Sequence, residues 1–123
     1  MRYRTPWGRL YSAAVYSLRG LYSAFRREQA FEYEVVVLAV LCAVSLSAPV
    51  SAEQAVALVG AWLLVMALEL VNSAVERAFD LIDTQFRPEI KVGKDMLSAA
   101  VFLMILLNVL LWAVLAARHY KWI

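Results

Sequence analysis

Glu69, Asn72 and Glu76 recur at three- and four-residue steps on a stretch whose first half, residues 55 to 68, carries no charge at all. That spacing puts all three on one face of a helix. An ionisable side chain at membrane depth costs about 3 kcal/mol or more, so a carboxyl there needs a reason. Glu69, in apolar surroundings, is the best general-base candidate, able to take a proton from a hydroxyl carried in along the lipid. The alternative is interhelical glue, an acid hydrogen-bonded across a helix pair. Asn72, one turn on, can orient Glu69, bind substrate or close the same network.

Glu28, Glu76 and Asp80 are further carboxylates, hard oxygen donors of the kind Mg²⁺ takes in ones and twos beside phosphate oxygens and water. They read equally as snorkelling acids paired with Arg26, Arg27 or Arg77 at an interface. Lys94 and Asp95, with Arg9 and Arg87 as further cations, could neutralise and orient a phosphate chain, because phosphoryl transfer is mostly positioning and charge stabilisation. A Lys-Asp pair opening a helix is also an ordinary solvated end, with the acid favoured by the helix dipole. Gly93-Lys94 is followed by Asp95, so no G-x-x-x-x-G-K-[ST] loop exists, and any nucleotide must be held at helix ends near a bilayer surface.

The elements that must position these groups follow from composition. Of 123 residues, 63% are hydrophobic, and the mean hydropathy is +0.67, too apolar for a soluble domain of this size. Residues 35 to 52 and 96 to 117 carry no charge, and 54 to 75 carry only Glu69. A soluble three-helix bundle would need a face for water, and helices apolar all round have none. The expected fold is therefore an all-α membrane protein of one domain, residues 1 to 123, with spans near 32–48, 53–80 and 94–117.

Ahead of the spans, Leu10, Ala14, Leu18, Leu21 and Phe25 recur at helical spacing, predicting an amphipathic surface helix over about 9–31. Residues 1 to 28 hold Arg2, Arg4, Arg9, Arg19, Arg26 and Arg27 against the single acid Glu28. The excess of cations sets the N-terminus on the cytoplasmic side of a bacterial inner membrane, although Arg118 and Lys121 at the other end count mildly against it. Net charge is only +2, and no nucleic-acid partner is expected. Cys42, the one cysteine, excludes a disulfide within the chain and a cysteine metal cluster. Ser47, Pro49 and Ser51 predict a tight turn joining the first two spans as an antiparallel hairpin. A second turn near residue 85 levels Glu76 with Lys94 and Asp95, and Asn72 with Ser98. Glu69 then lies about 10 Å deeper than Glu76.

Glu69-Leu-Val-Asn72-Ser73-Ala74-Val-Glu76, Asp80 and Lys94-Asp95-Met96-Leu97-Ser98-Ala99-Ala100 together closely resemble the prokaryotic diacylglycerol kinase family, small integral-membrane lipid kinases that include undecaprenol kinases. Arg9, Ala13-Ala14, Tyr16-Ser17, Gly20-Leu21, Glu28, Ala30-Phe31 and Glu34 fit the same pattern. The resemblance implies a homotrimer whose composite sites pass phosphoryl from MgATP to a lipid hydroxyl. It implies Glu69 as proton acceptor, Glu28 and Glu76 as metal ligands, and Arg9, Tyr16, Gln85, Phe86, Arg87, Lys94 and Asp95 as nucleotide contacts. The lipid side would take Arg9, Ala13, Ala14, Ser17, Ala30, Phe31, Glu34, Asn72, Ser98 and the region of Trp112.

The sequence departs from that pattern at Val92, Gly93 and Leu97, and in Phe86-Arg87-Pro88-Glu89. Glu34 and Ser98-Ala99-Ala100-Val101-Phe102 look more like the diacylglycerol branch than the undecaprenol one. A small transporter or assembly subunit, with Glu69 carrying protons, is the reading from a different class. It leaves the convergence of Glu28, Asn72, Glu76 and Lys94-Asp95 without a reason.

Overall fold

The structure is a computed structural model that describes residues 5 to 47 and 49 to 123. Four helices follow in order: α1 Pro6–Arg27, α2 Gln29–Ser47, α3 Ala52–Ile82 and α4 Pro88–His119. The cations Arg2 and Arg4, and the last residue of the first predicted span, lie outside the described residues.

Each helix end has a local cause. Thr5 is extended and its Oγ1 accepts from the Gly8 N–H at 3.1 Å, with Pro6 at the first helical position, where a missing N–H loses nothing. The helix closes with Arg26 and Arg27 in its last turn and an extended Glu28 (φ −113°, ψ 109°). Where a surface helix is expected over 9–31, the first helix runs Pro6–Arg27, because Glu28 breaks the chain and α2 starts at the next residue. The Ser51 side chain and the Gln54 side chain close a reciprocal capping box at the start of α3, satisfying two donors that the helix leaves unpaired. Pro88 opens α4 rather than lying in the preceding turn. Expected to begin near residue 94, this helix starts earlier because proline suits the first helical turn.

Three helices are long and apolar enough to cross a membrane: α2, α3 and α4. The 31 residues of α3 and 32 of α4 exceed the roughly 20 that hydrocarbon requires. Their surplus turns carry Glu76, Asp80, Lys91, Lys94 and Asp95 to the boundary. Helix α3 packs against both α2 and α4, and α1 packs on α2.

The interior is thin. Ala24, Phe31 and Met66 form a buried cluster with Val35, Leu38, Trp62 and Leu70 packed on it, and Leu58 and Val65 are fully enclosed between helices. Trp62 Nε1 donates to the Glu34 carbonyl at 2.9 Å, tying α2 to α3 beside the cluster. Outside these contacts the helices are bare: Leu64, Phe102, Leu103, Val109 and Leu110 are each about half exposed or more. In water such faces would drive aggregation, whereas hydrocarbon solvates them.

Asn108 is the one buried side chain of α4. Its Nδ2 donates to the Ala61 carbonyl of α3 at 3.2 Å and to Met104 of its own helix at 2.8 Å. The contact fixes the antiparallel register of α3 and α4, and it agrees with the register expected from a turn near residue 85. Interhelical hydrogen bonds of this kind are worth about 0.6 to 2 kcal/mol in a membrane. Asn108→Leu should lower resistance to unfolding in mixed detergent by that amount, read from denaturation curves, while leaving catalysis near wild type.

Candidate functional site

The polar ends of α3 and α4 and the joint between α1 and α2 meet at one end of the bundle. Arg77 of α3 reaches Glu28, its Nη2 lying 2.6 Å from Oε1. Lys94 of α4 reaches back to Asp80 of α3, Nζ to Oδ1 3.0 Å. The Lys94 side chain thus extends toward the loop, to an acid one turn beyond Glu76, while the helices keep the register that Asn108 and Ala61 mark. Lys91 holds Asp95 through both carboxylate oxygens, at 2.7 and 2.8 Å. In the α3–α4 loop, Asp83 accepts from the Gln85 N–H at 2.9 Å and pairs with Arg87. These two donors, the backbone first, hold the Asp83 carboxyl below the usual carboxylate range. The group therefore stays ionised until pH falls through that depressed value, and the loop keeps both contacts until then.

Farther along α3, the charges of Glu76, Glu28 and Glu34 and the amide of Asn72 act on the Glu69 carboxyl. Asn72 Oδ1 and Glu34 Oε2 are buried without a hydrogen-bond partner. Unpaired buried acceptors are costly in a finished fold. These two lie in the neighbourhood of Glu69, whereas a third such atom, Ser45 Oγ, lies farther along α2. On a neighbouring face of α3 a cavity of about 610 Å³ opens toward α1, lined by Ser17, Leu21, Glu28, Leu70, Ser73 and Arg77 among others. Its apolar wall with a rim of hydroxyls and charge suits an amphiphile.

The remaining predicted residues divide clearly. Ser17 lines this cavity and donates to the Ala13 carbonyl at 2.8 Å, while Ala13, Ala14, Ala30 and Ser98 are exposed. Phe31, expected on the lipid side, is 2% exposed and belongs to the buried cluster. Its ring wedges the α1–α2 joint against Met66. Arg9 lies on α1 about 28 Å from Glu28 along the helix, Tyr16 is partly exposed on that helix, and Phe86 projects from the loop. Trp112 lines a separate cavity of about 360 Å³ with Gln54, Leu58, Tyr120 and His119 at the opposite end of the bundle, about 21 Å from Ser98 along α4. A single chain therefore gathers Ser17, Glu28, Glu34, Glu69, Asn72 and Glu76, and leaves Arg9 and Trp112 apart.

Sequence reasoning missed Asn108, Asp80 as the partner of Lys94, and the closeness of Phe79 to Gly93. Asn108 was findable, being the only amide in an uncharged span. The other two depend on the rotation of α3 about its axis, which periodicity alone does not supply.

Among the described residues no three or more His, Cys, Asp or Glu side chains form a metal cage. Glu28 and Glu76 instead offer the sparse carboxylate set that a hard cation shares with phosphates and water. A cation already suits Glu28, since the Arg77 guanidinium sits on it. These residues fit a divalent ion bound together with a nucleotide.

A bundle of three helices apolar enough to cross a membrane, with carboxylates, lysine and arginine gathered at one end, is the outline of a small integral-membrane protein with a polar site. The chain matches the prokaryotic diacylglycerol kinase family over residues 15–116 and belongs to it. It is 34% identical over 116 residues to the diacylglycerol kinase of Escherichia coli (strain K12), covering 94% of this chain and 95% of that one. The diacylglycerol kinase of Pseudomonas aeruginosa is 36% identical over 110 residues, 89% of each chain. That of Helicobacter pylori (strain 26695) is 38% identical over 106 residues, 85% of this chain and 81% of the relative. The protein is thus a membrane lipid kinase, whose reaction requires a nucleotide phosphate donor and a lipid acceptor.

Gly93 has the tightest local constraint beside the site. A Cβ there would lie 2.7 Å from Phe79 Cζ and 3.1 Å from Cε2, so the ring must move or the helices part. Phe79 precedes Asp80 and Gly93 precedes Lys94, so either shift disturbs the Lys94–Asp80 pair. Gly93→Ala should destabilise the protein by about 1 kcal/mol, the lower end for overpacking at a half-buried position, and raise the nucleotide KM. Adding Phe79→Val should restore both, a coupling that a double-mutant cycle of unfolding and KM measures.

Proposed function

We propose that the protein transfers the γ-phosphoryl group of ATP to the free hydroxyl of diacylglycerol, giving phosphatidic acid and ADP at the cytoplasmic face of a bacterial inner membrane. The observation that carries this reading is the convergence on Glu69 of Asn72, Glu28, Glu34 and Glu76, toward the same end of the bundle as the Lys94–Asp80 pair.

In this reading the lipid hydroxyl donates to Glu69, which takes its proton as the oxygen attacks the γ-phosphorus. The bond from that phosphorus to the bridging oxygen breaks, and ADP leaves with the electron pair. Asn72 orients Glu69 through its amide. Glu28 and Glu76 would hold Mg²⁺, which would supply neutralisation of the phosphate charge. Lys94, Asp95 and Arg87, released from their present pairs, contact the nucleotide with Gln85, Phe86, Tyr16 and Arg9. Glu34, Ser17, Ala13, Ala14, Ala30 and Ser98 line the lipid path, with Trp112 at its far end.

A homotrimer with sites shared between copies belongs to the same reading. The support is geometric: Arg9 and Glu28 are separated by most of α1 within one chain, and the bare faces of α4 leave room for a neighbour. Undecaprenol is the alternative acceptor, because a polyprenol also presents one hydroxyl at the boundary of a hydrocarbon chain.

Two measurements test this function. Glu69→Gln should bind MgATP in detergent like wild type yet lose about 100-fold or more in lipid phosphorylation, the scale of general-base catalysis; turnover near wild type removes Glu69 from the base role. Assayed in mixed micelles with MgATP, diacylglycerol should be phosphorylated in preference to undecaprenol, and a strong preference for the polyprenol would overturn the choice of acceptor.

A further inference from the structure

Arg77 has no role in the reaction described above, yet it makes the one ion pair that ties α3 to the joint between α1 and α2 among the described residues. Its guanidinium meets a residue 49 positions away in the sequence, Nη2 to Glu28 Oε1 2.6 Å. It also follows Glu76 directly in the sequence, so the positive charge that pairs with one carboxylate offered to a metal is the chain neighbour of the other. Arg77 is about half exposed at its side chain and Glu28 about a third. The cavity that adjoins the pair contains Arg27, Ser17 and Ser73.

We propose that Arg77 is a resident counter-cation for Glu28, a positioning residue that competes with the divalent metal and moves into the adjoining cavity when the metal enters. This rests on the reading of Glu28 as a metal ligand. Mg²⁺ and Mn²⁺ need carboxylate oxygens free of competing charged donors and a near-octahedral shell. A guanidinium at hydrogen-bond distance takes an Oε1 lone pair and repels a dication at the same point. Metal and Arg77 therefore hold Glu28 alternately. One cation replaces another, so the α1–α2 joint is never left with an uncompensated carboxylate. The displaced guanidinium stays tethered to α3 beside Ser73 and Arg27, where hydroxyls can accept from it.

The test is Mn²⁺ binding to the full chain in detergent, without nucleotide or lipid, followed by the electron paramagnetic resonance signal of free Mn²⁺. Arg77→Ala should bind Mn²⁺ roughly two- to fivefold more tightly than wild type, the range that a partly exposed pair supports. Arg77→Lys, which keeps a cation in place, should stay within about twofold of wild type. Metal-induced stabilisation against heat should rise in the same order, and circular dichroism checks that each variant is folded. If Arg77→Ala does not fold, Arg77→Gln, which keeps the stem and removes the charge, takes its place with the same expected shift. Neutral variants that bind no more tightly than wild type, while Glu28→Gln abolishes binding, overturn the competition and leave Glu28 as a ligand. If Glu28→Gln binds Mn²⁺ like wild type, the metal role of Glu28 fails and the competition fails with it.

Discussion

Hydrocarbon solvates apolar side chains on every face of a helix but gives a polar atom nothing to bond with, and this asymmetry governs the whole molecule. Backbone groups satisfy one another, so the chain can only be helices with short turns. Apolar side chains need no core, so the interior shrinks to a few contacts around Phe31, Leu58, Val65 and Met66. Each polar side chain at depth then stands out against a featureless background. Asn108 meets the demand with the Ala61 carbonyl, whereas Asn72 and Glu34 leave acceptors open. The first holds helices together, and the others are free to accept from a group outside the single chain.

At the boundary the logic reverses, because water and headgroups are available and charges can be paired or parted at little cost. Exposed pairs are worth on the order of 1 kcal/mol or less. Glu28, Asp95, Lys94 and Arg87 all rest in such pairs. A site built to receive a nucleotide with its metal must be neutral when empty and open readily when filled, and weak surface pairs allow both. The functional end is thus assembled from contacts that contribute little to stability. The apolar packing and the Trp62 and Asn108 hydrogen bonds deeper in hold the helices in register.

Much of this was legible in the sequence. The charge-free runs announced α2, α3 and α4, because a membrane span is the one element whose length and composition suffice to define it. The Glu69, Asn72, Glu76 face followed from spacing alone. Ion partners were harder: Glu28 had Arg26, Arg27 and Arg77 as candidates, and only the packing of α1 against the α2–α3 pair selects Arg77. Helix ends were also displaced, since Pro88 reads as a breaker in a string of residues and acts as a first-turn residue in a fold. Phe31, which the family resemblance puts on the lipid side, is buried within the single chain against Ala24 and Met66. Position along a helix is readable from sequence; rotation about its axis is readable only when a polar stripe marks a face.

Glu28 is the single residue between two helices, and its extended backbone sets the angle between them. The joint has no slack. A change in tilt of α1 against α2 must pass through the two backbone torsions of that residue and so swing its carboxylate. The elbow of the chain is also the residue that holds Arg77, so the angle between α1 and α2 and the contact that ties them to α3 cannot vary independently.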